Sequence, residues 1–171
     1  MPTSLAPPPS PEQQRVSCAL SNFLSERRQE IISDWIANVR RDQKVPAADE
    51  LTSIQLKDHV PQILDELNQT LDDAFSREIQ ERAAWHAATH GHLRWHQQYD
   101  IAQLIRETSA LRMVLICRLG EFQDKHCPNY SGEIGLFAMV VVHSFFDRII
   151  RISVEQFVAT SQLIKHPNPP A

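Results

Sequence analysis

Between Asp100 and Phe122, Ile101, Leu104, Ile105, Leu111, Leu115, Leu119 and Phe122 recur at three- and four-residue intervals, with Thr108 in register. That spacing puts them on one face of a helix, and so long a stripe has to be covered by the rest of the chain. A central core helix is therefore the first expectation. Asp100 precedes the stripe and Gln103 follows three residues later, a pairing able to satisfy free backbone donors at a helix start from both sides. The chain is expected to turn a tight corner near Tyr99, with a histidine-rich helix entering it.

Helical periodicity extends along most of the sequence. Val16, Leu20, Phe23, Leu24, Ile32, Trp35, Ile36 and Val39 make one long helix or two in series, with a break near Ser25. Pro46 ends that stretch. A short helix from about Thr52 meets Asp58-His59-Val60-Pro61, where the proline suits the first turn of a new helix carrying Ile63, Leu64, Leu67 and Leu71 inward. After Asp72-Asp73, the histidine helix runs from about Arg77 to Gln97, and the central helix follows to about Lys125. A final helix starts near Ser131 and reaches about Ile164, on the order of 50 Å at about 1.5 Å per residue. That is longer than a compact domain of this size requires. Its end is expected to project, with Phe145, Ile149, Ile152 and Phe157 as the face for a partner copy or an attached segment; a frayed end is the plainer alternative. No repeat and no strand-like alternation is present.

The expected fold is thus all-α, a globin-like or antiparallel bundle of about five to six helices. At 171 residues it suits one domain, with a proline-rich lead-in at 1–11, a helical body at 12–165 and a tail at 166–171. Seventeen basic residues are interspersed with 21 acidic ones, as in Glu26-Arg27-Arg28-Gln29-Glu30, giving a net charge of −4. Nucleic-acid binding, which needs clustered Lys and Arg, is not expected. Residues 136–146, the most apolar run, are interrupted by His143 and fall short of the roughly 20 residues a bilayer span needs. Cys18, Cys117 and Cys127 lack metal-type spacing and are read as packing residues. With no signal-like start, a reducing cytoplasm is expected.

Four glycines offer no phosphate-binding loop, and neither a nucleophile elbow nor a metalloprotease helix occurs. An enzyme is therefore not expected. Reactive groups concentrate at His86, His90, His92 and His96, two pairs four residues apart, the spacing at which imidazoles on one face can share a metal. His86 and His90 share the side of Ile79, Ala83 and Leu93. They are expected inside, lining a pocket, bonding within the core, or contacting a metal or haem; His92 and His96 are expected at solvent or a neighbouring helix. Gly91 costs on the order of 1 kcal/mol against alanine in a helix, a cost that close approach of a helix or ligand, or packing alone, would explain. Arg94, Glu107 and Arg112 form either an ion-pair network at the corner or ordinary surface charge.

His90-Gly91-His92-Leu93-Arg94-Trp95-His96-Gln97-Gln98-Tyr99-Asp100-Ile101-Ala102-Gln103-Leu104-Ile105-Arg106-Glu107, followed by Leu111-Arg112, resembles the hallmark of the RsbRD-type N-terminal sensory domain. Asp58-His59-Val60-Pro61-Gln62-Ile63-Leu64-Asp65-Glu66-Leu67 and Ile31-Ile32-Ser33-Asp34-Trp35 resemble its earlier blocks in the same order, so the likeness covers about residues 18–160. One departure is Gln98, where the family commonly has glycine before the tyrosine. The resemblance implies a helical, globin-like input module without haem, attached to a STAS output domain in stressosome proteins or to the kinase core of a two-component sensor histidine kinase. On this basis the chain is expected to be a non-catalytic, homodimeric signal-input domain. Its pocket would involve His86, His90, Arg94, Tyr99, Glu107 and Arg112, with no cofactor and no metal. The alternatives are a haem or metal protein with His90 or His86 as ligand, and a domain that only dimerises.

Overall fold

The structure is a computed structural model that describes residues 9–73, 76–126 and 132–165. Among the described residues every regular element is helical: α1 (Pro11–Glu26), α2 (Arg28–Arg41), a 3-10 turn (Pro46–Ala48), α3 (Ser53–Lys57), α4 (Val60–Asp72), α5 (Arg77–His96), α6 (Ile101–His126) and α7 (Gly132–Lys165). The fold is an all-α helical bundle with a long last helix. The expected positions around Ser131, Cys127 and the tail lie outside the described residues.

The boundaries follow local chemistry. Ser10 and Gln13 cap α1 reciprocally, so Pro11, placed in the lead-in by composition, is instead the first helical residue. The long first stretch is two helices, parted at Arg27, within the charged cluster that follows Ser25. There the backbone leaves helical geometry while the guanidinium stacks 3.9 Å from the centre of the Phe23 ring. Thr52 and Gln55 cap the single-turn α3 in the same reciprocal way. At the start of α6, Asp100 accepts from the Gln103 N–H at 2.8 Å. The Gln103 side-chain oxygen instead takes the Ala47 N–H at 3.1 Å, tying the loop after α2 to the corner.

The corner itself is a Schellman-type ending: the Tyr99 N–H bonds the Arg94 carbonyl at 3.1 Å and the Gln98 N–H bonds that of Trp95 at 3.2 Å. Such an ending needs a left-handed residue, and Gln98 supplies it at φ 63°. A side chain there costs about 1–2 kcal/mol, so Gln98→Gly is expected to stabilise the protein by on the order of 1 kcal/mol after its added chain entropy. Thermal denaturation should show a midpoint roughly 2–4 °C higher; an unchanged or lower midpoint would refute the strain.

Leu104, Leu111, Leu115, Leu119 and Phe122 are buried, and the Thr108 hydroxyl bonds the Leu104 carbonyl at 2.9 Å. Ile101 and Ile105 depart from the expected stripe at 39% and 38% exposure. The buried face of α6 is rotated toward Glu107 and Val114, both buried, which leaves Ile105 on its far edge and Ile101 at the open first turn.

The last helix does not project as its length suggested. It lies along α5 and α6, with α5–α7 the most extensive helix pair. Phe145, Ile149 and Phe157 belong to the chain's own core, Ile152 packs half-buried against it, and Ser153 and Thr160 are buried. The partner face expected there is therefore occupied internally. The reason is length matching: α5 and α6, about 30 and 39 Å long, offer α7 an apolar bed well past Ile150. Beyond Thr160, Leu163 is 72% exposed. Among the described residues no helix is long and apolar enough to cross a membrane.

Candidate functional site: a buried polar cluster at the α3–α5–α6 junction

Arg94 occupies the last turn of α5 and Glu107 the second turn of α6, so the corner folds them face to face. Both are almost wholly buried, at 0% and 1% exposure. The guanidinium holds Glu107 in a fork, with Nε 3.0 and 2.9 Å from its two carboxylate oxygens and Nη2 2.8 Å from Oε1. It also donates to the carbonyls of Gln55 and Leu56 in α3 and to the Gln97 side chain. Trp35 of α2 donates its indole N–H to the Glu107 carbonyl at 3.1 Å. One arginine thus fastens three segments, and its charge is matched inside the protein.

Tyr99 lies beneath, its ring centre 5.2 Å from the guanidinium carbon. Its buried hydroxyl lies near Glu107 without a well-formed hydrogen bond. Burial first, and the Glu107 charge second, hold it protonated far above the ordinary phenol value.

His90, one turn before Arg94, is 2% exposed. Its Nε2 lies 3.5 Å from Glu107 Oε1 and its Nδ1 3.9 Å from Asp58 Oδ2, neither close enough to be a hydrogen bond. Nδ1 and Asp58 Oδ2 are both buried without partners. Asp58 sits between α3 and α4 at φ 34°, ψ −115°, a conformation costly for a residue with a side chain. Its Oδ1 is 2.8 Å from His59 Nδ1, and Oδ2 is 4.0 Å from an Arg94 nitrogen. A second group lies further up α5. His86 Nε2 is 3.8 Å from Glu66 Oε1, which accepts from Arg82, and His59, Trp85 and His86 touch through their ring edges.

Burial pushes the His90 imidazole well below its ordinary value of 6.5, with the Arg94 charge and then His59 adding to the effect. His86 is lowered too, again chiefly by burial, with Glu66 opposing. An imidazole depressed in the folded state favours folding above the unfolded value of 6.5 and withdraws that support as pH falls below it. Each such group steepens the decline by up to about 1.4 kcal/mol per pH unit. Urea midpoints measured at about pH 7.5 and 5.5 should therefore drop on acidification, and His90→Gln should flatten the decline. Equal slopes in both proteins would show His90 to be unperturbed.

Four of the residues expected at the pocket are brought together, His90, Arg94, Tyr99 and Glu107, while His86 belongs to the second group, facing Glu66. Arg112 is not among them; it points outward and pairs with Asp147 of α7 at 2.8 Å. His92 and His96 are exposed, their rings 4.6 Å apart, with His92 Nδ1 3.2 Å from the Thr160 hydroxyl. Among the described residues no three His, Cys, Asp or Glu side chains are placed to hold a metal. Neither family models, nor curated proteins, nor solved structures match this chain. Its reading rests on its own residues.

Asp58 and Trp35 are the members that spacing alone did not single out, though each lies in a block quoted for the family resemblance. Gln55 and Leu56 contribute only backbone carbonyls, for which a sequence carries no signal. The expected close approach at Gly91 is by a helix: a Cβ there would stand 2.0 Å from the Ser153 carbonyl oxygen of α7. Beside it the Ser153 hydroxyl bonds the Ala87 carbonyl at 2.8 Å. A separate cavity of about 290 Å³ opens between α2 and α6, lined by Asp34, Asn38, Arg41, Met113, Cys117 and Arg118 among others.

Proposed function

We propose that this chain is a non-catalytic signal-input domain of the RsbRD type, delivering its signal to a kinase core or STAS output domain in the cytoplasm. The observation that carries the reading is the placement of the Asp58–His90–Arg94–Glu107 cluster. It sits in the core where α3, α5 and α6 meet, and α5 is locked to α7 one residue beyond His90 by the backbone contact at Gly91. A buried ion pair is weak evidence for stability, because apolar residues of similar volume often serve as well or better. A cluster with unpaired atoms and a strained Asp58 backbone is therefore read as a feature kept for response.

In this mechanism a change at the cluster shifts α5, and α7 follows as a packed rod rather than as a free extension. The homodimer that belongs to this reading has to form on a face other than Phe145, Ile149 and Phe157. The test is the reading frame that follows Ala171, together with the phosphorylation state of the output it encodes or recruits. A kinase core or STAS domain whose phosphorylation changes in His90→Gln at unchanged protein level supports the proposal. Output indifferent to every substitution in the cluster would sink it.

A further inference from the structure

His90 and Asp58 present each other with unused hydrogen-bonding capacity across a gap. Nδ1 and Oδ2 are 3.9 Å apart, each buried and each without a partner. On its other side the ring faces Glu107 Oε1 at 3.5 Å. A neutral imidazole has one donor to offer, whereas a protonated one has two, and both of its nitrogens face carboxylate oxygens. We propose that His90 and Asp58 form an acid-operated latch, in which a proton taken from solvent by His90 Nδ1 draws the Asp58 carboxylate in and moves the α3–α4 junction onto α5. The latch rests on the signal-input reading and names its stimulus as acidification.

Closing the gap to the 2.7–2.9 Å of a charge-assisted bond needs a shift of about 1 Å. Asp58 is placed to yield, since it forms the left-handed joint between the five-residue α3 and α4. Every neighbouring element contributes to the balance. From α5 itself, the Arg94 charge opposes protonation and His86 lies one turn away. From the joint, Asp58 Oδ2 faces the ring at 3.9 Å, while His59 and, above all, burial oppose protonation. From α4 comes Glu66, and from the corner and α6 come Tyr99, which stays neutral, and Glu107, which already neutralises Arg94. α7 brings uncharged Ser153 to this level; its Arg148 is engaged higher up by the Gln80 carbonyl. Two carboxylates therefore face the ring, with the cation beside it already paired.

The experiment follows imidazole ring signals by nuclear magnetic resonance from about pH 8 to 4.5, with far-ultraviolet circular dichroism to confirm retained helix. The expected result is that His90 titrates below 6.5 in the folded protein, accompanied by amide shifts at Leu56 to Val60. Those amide shifts should vanish in His90→Gln and Asp58→Asn and persist in His92→Gln and His96→Gln. The latch is overturned if His90 gains its proton only as helix is lost, or if the amide shifts survive in His90→Gln, which would assign them to His59 or His86. The output measurement separates the two proposals: a latch that titrates while the output of the full-length chain ignores pH would overturn acidification as the stimulus, whereas the signal-input role falls only with an output indifferent to every substitution in the cluster.

Discussion

Arg94→Met is expected to destabilise the protein by about 3–5 kcal/mol, the cost of leaving a buried carboxylate without its partner. Glu107 would be left without its counter-ion in a site with 1% exposure, and the carbonyls of Gln55 and Leu56 would lose their donor. For a chain of this length such a loss lowers the thermal midpoint by roughly 6–20 °C. The double variant Arg94→Met/Glu107→Leu separates the causes. Removing both charges should restore a large part of the stability, because the desolvation of a lone carboxylate disappears. Restoration should stay incomplete, because two α3 carbonyls remain unpaired and each costs about 1–3 kcal/mol. Equilibrium denaturation of the three proteins checks this. A single variant within about 1 kcal/mol of the parent would mean that Glu107 reaches solvent or another donor and that the ion pair contributes little.

The architecture was readable because periodicity reports burial directly. Leu104, Leu111, Leu115 and Leu119 share a face, and Thr52 and Asp100 mark helix starts in the residue types themselves, whereas the Ser10 cap is hidden within the proline-rich lead-in. Gln98 was readable in a subtler way: a position where the resembling family carries glycine is the position at φ 63°. The ion pair was only half readable. Arg94 and Glu107 are thirteen residues apart across a corner, and charged residues default to the surface, so nothing local distinguishes them from Arg112, which does lie outside. Glu107 also displaced the expected buried face of α6, since a stripe drawn through apolar residues alone centres too close to Ile105. The course of α7 does not follow from its length alone, because length says nothing of the bed on which the helix lies. A 34-residue helix projects from a small bundle only if its neighbours are short, and here they are not.

Gly91→Ala is expected to cost about 2 kcal/mol net, although alanine is the better helix former by about 1 kcal/mol. The added Cβ would lie 2.0 Å from the Ser153 carbonyl oxygen, 2.7 Å from its carbon and 2.9 Å from its Cα. All three are backbone atoms, so no rotamer change relieves the overlap and α5 and α7 have to separate. Overpacking of this kind costs about 1–3 kcal/mol or more and disturbs the packing on either side. The Ser153 hydroxyl bond to Ala87, buried in the same crossing, would lengthen with it. Adding Ser153→Gly should bring no rescue, since the obstructing oxygen belongs to the main chain. Denaturation together with amide exchange along α7 decides the matter: Gly91→Ala should speed exchange around Ser153 beyond what the global loss explains. Stability equal to the parent would show that the crossing is looser than 2.0 Å implies, and the mechanical link between the His90 cluster and the last helix would fail with it.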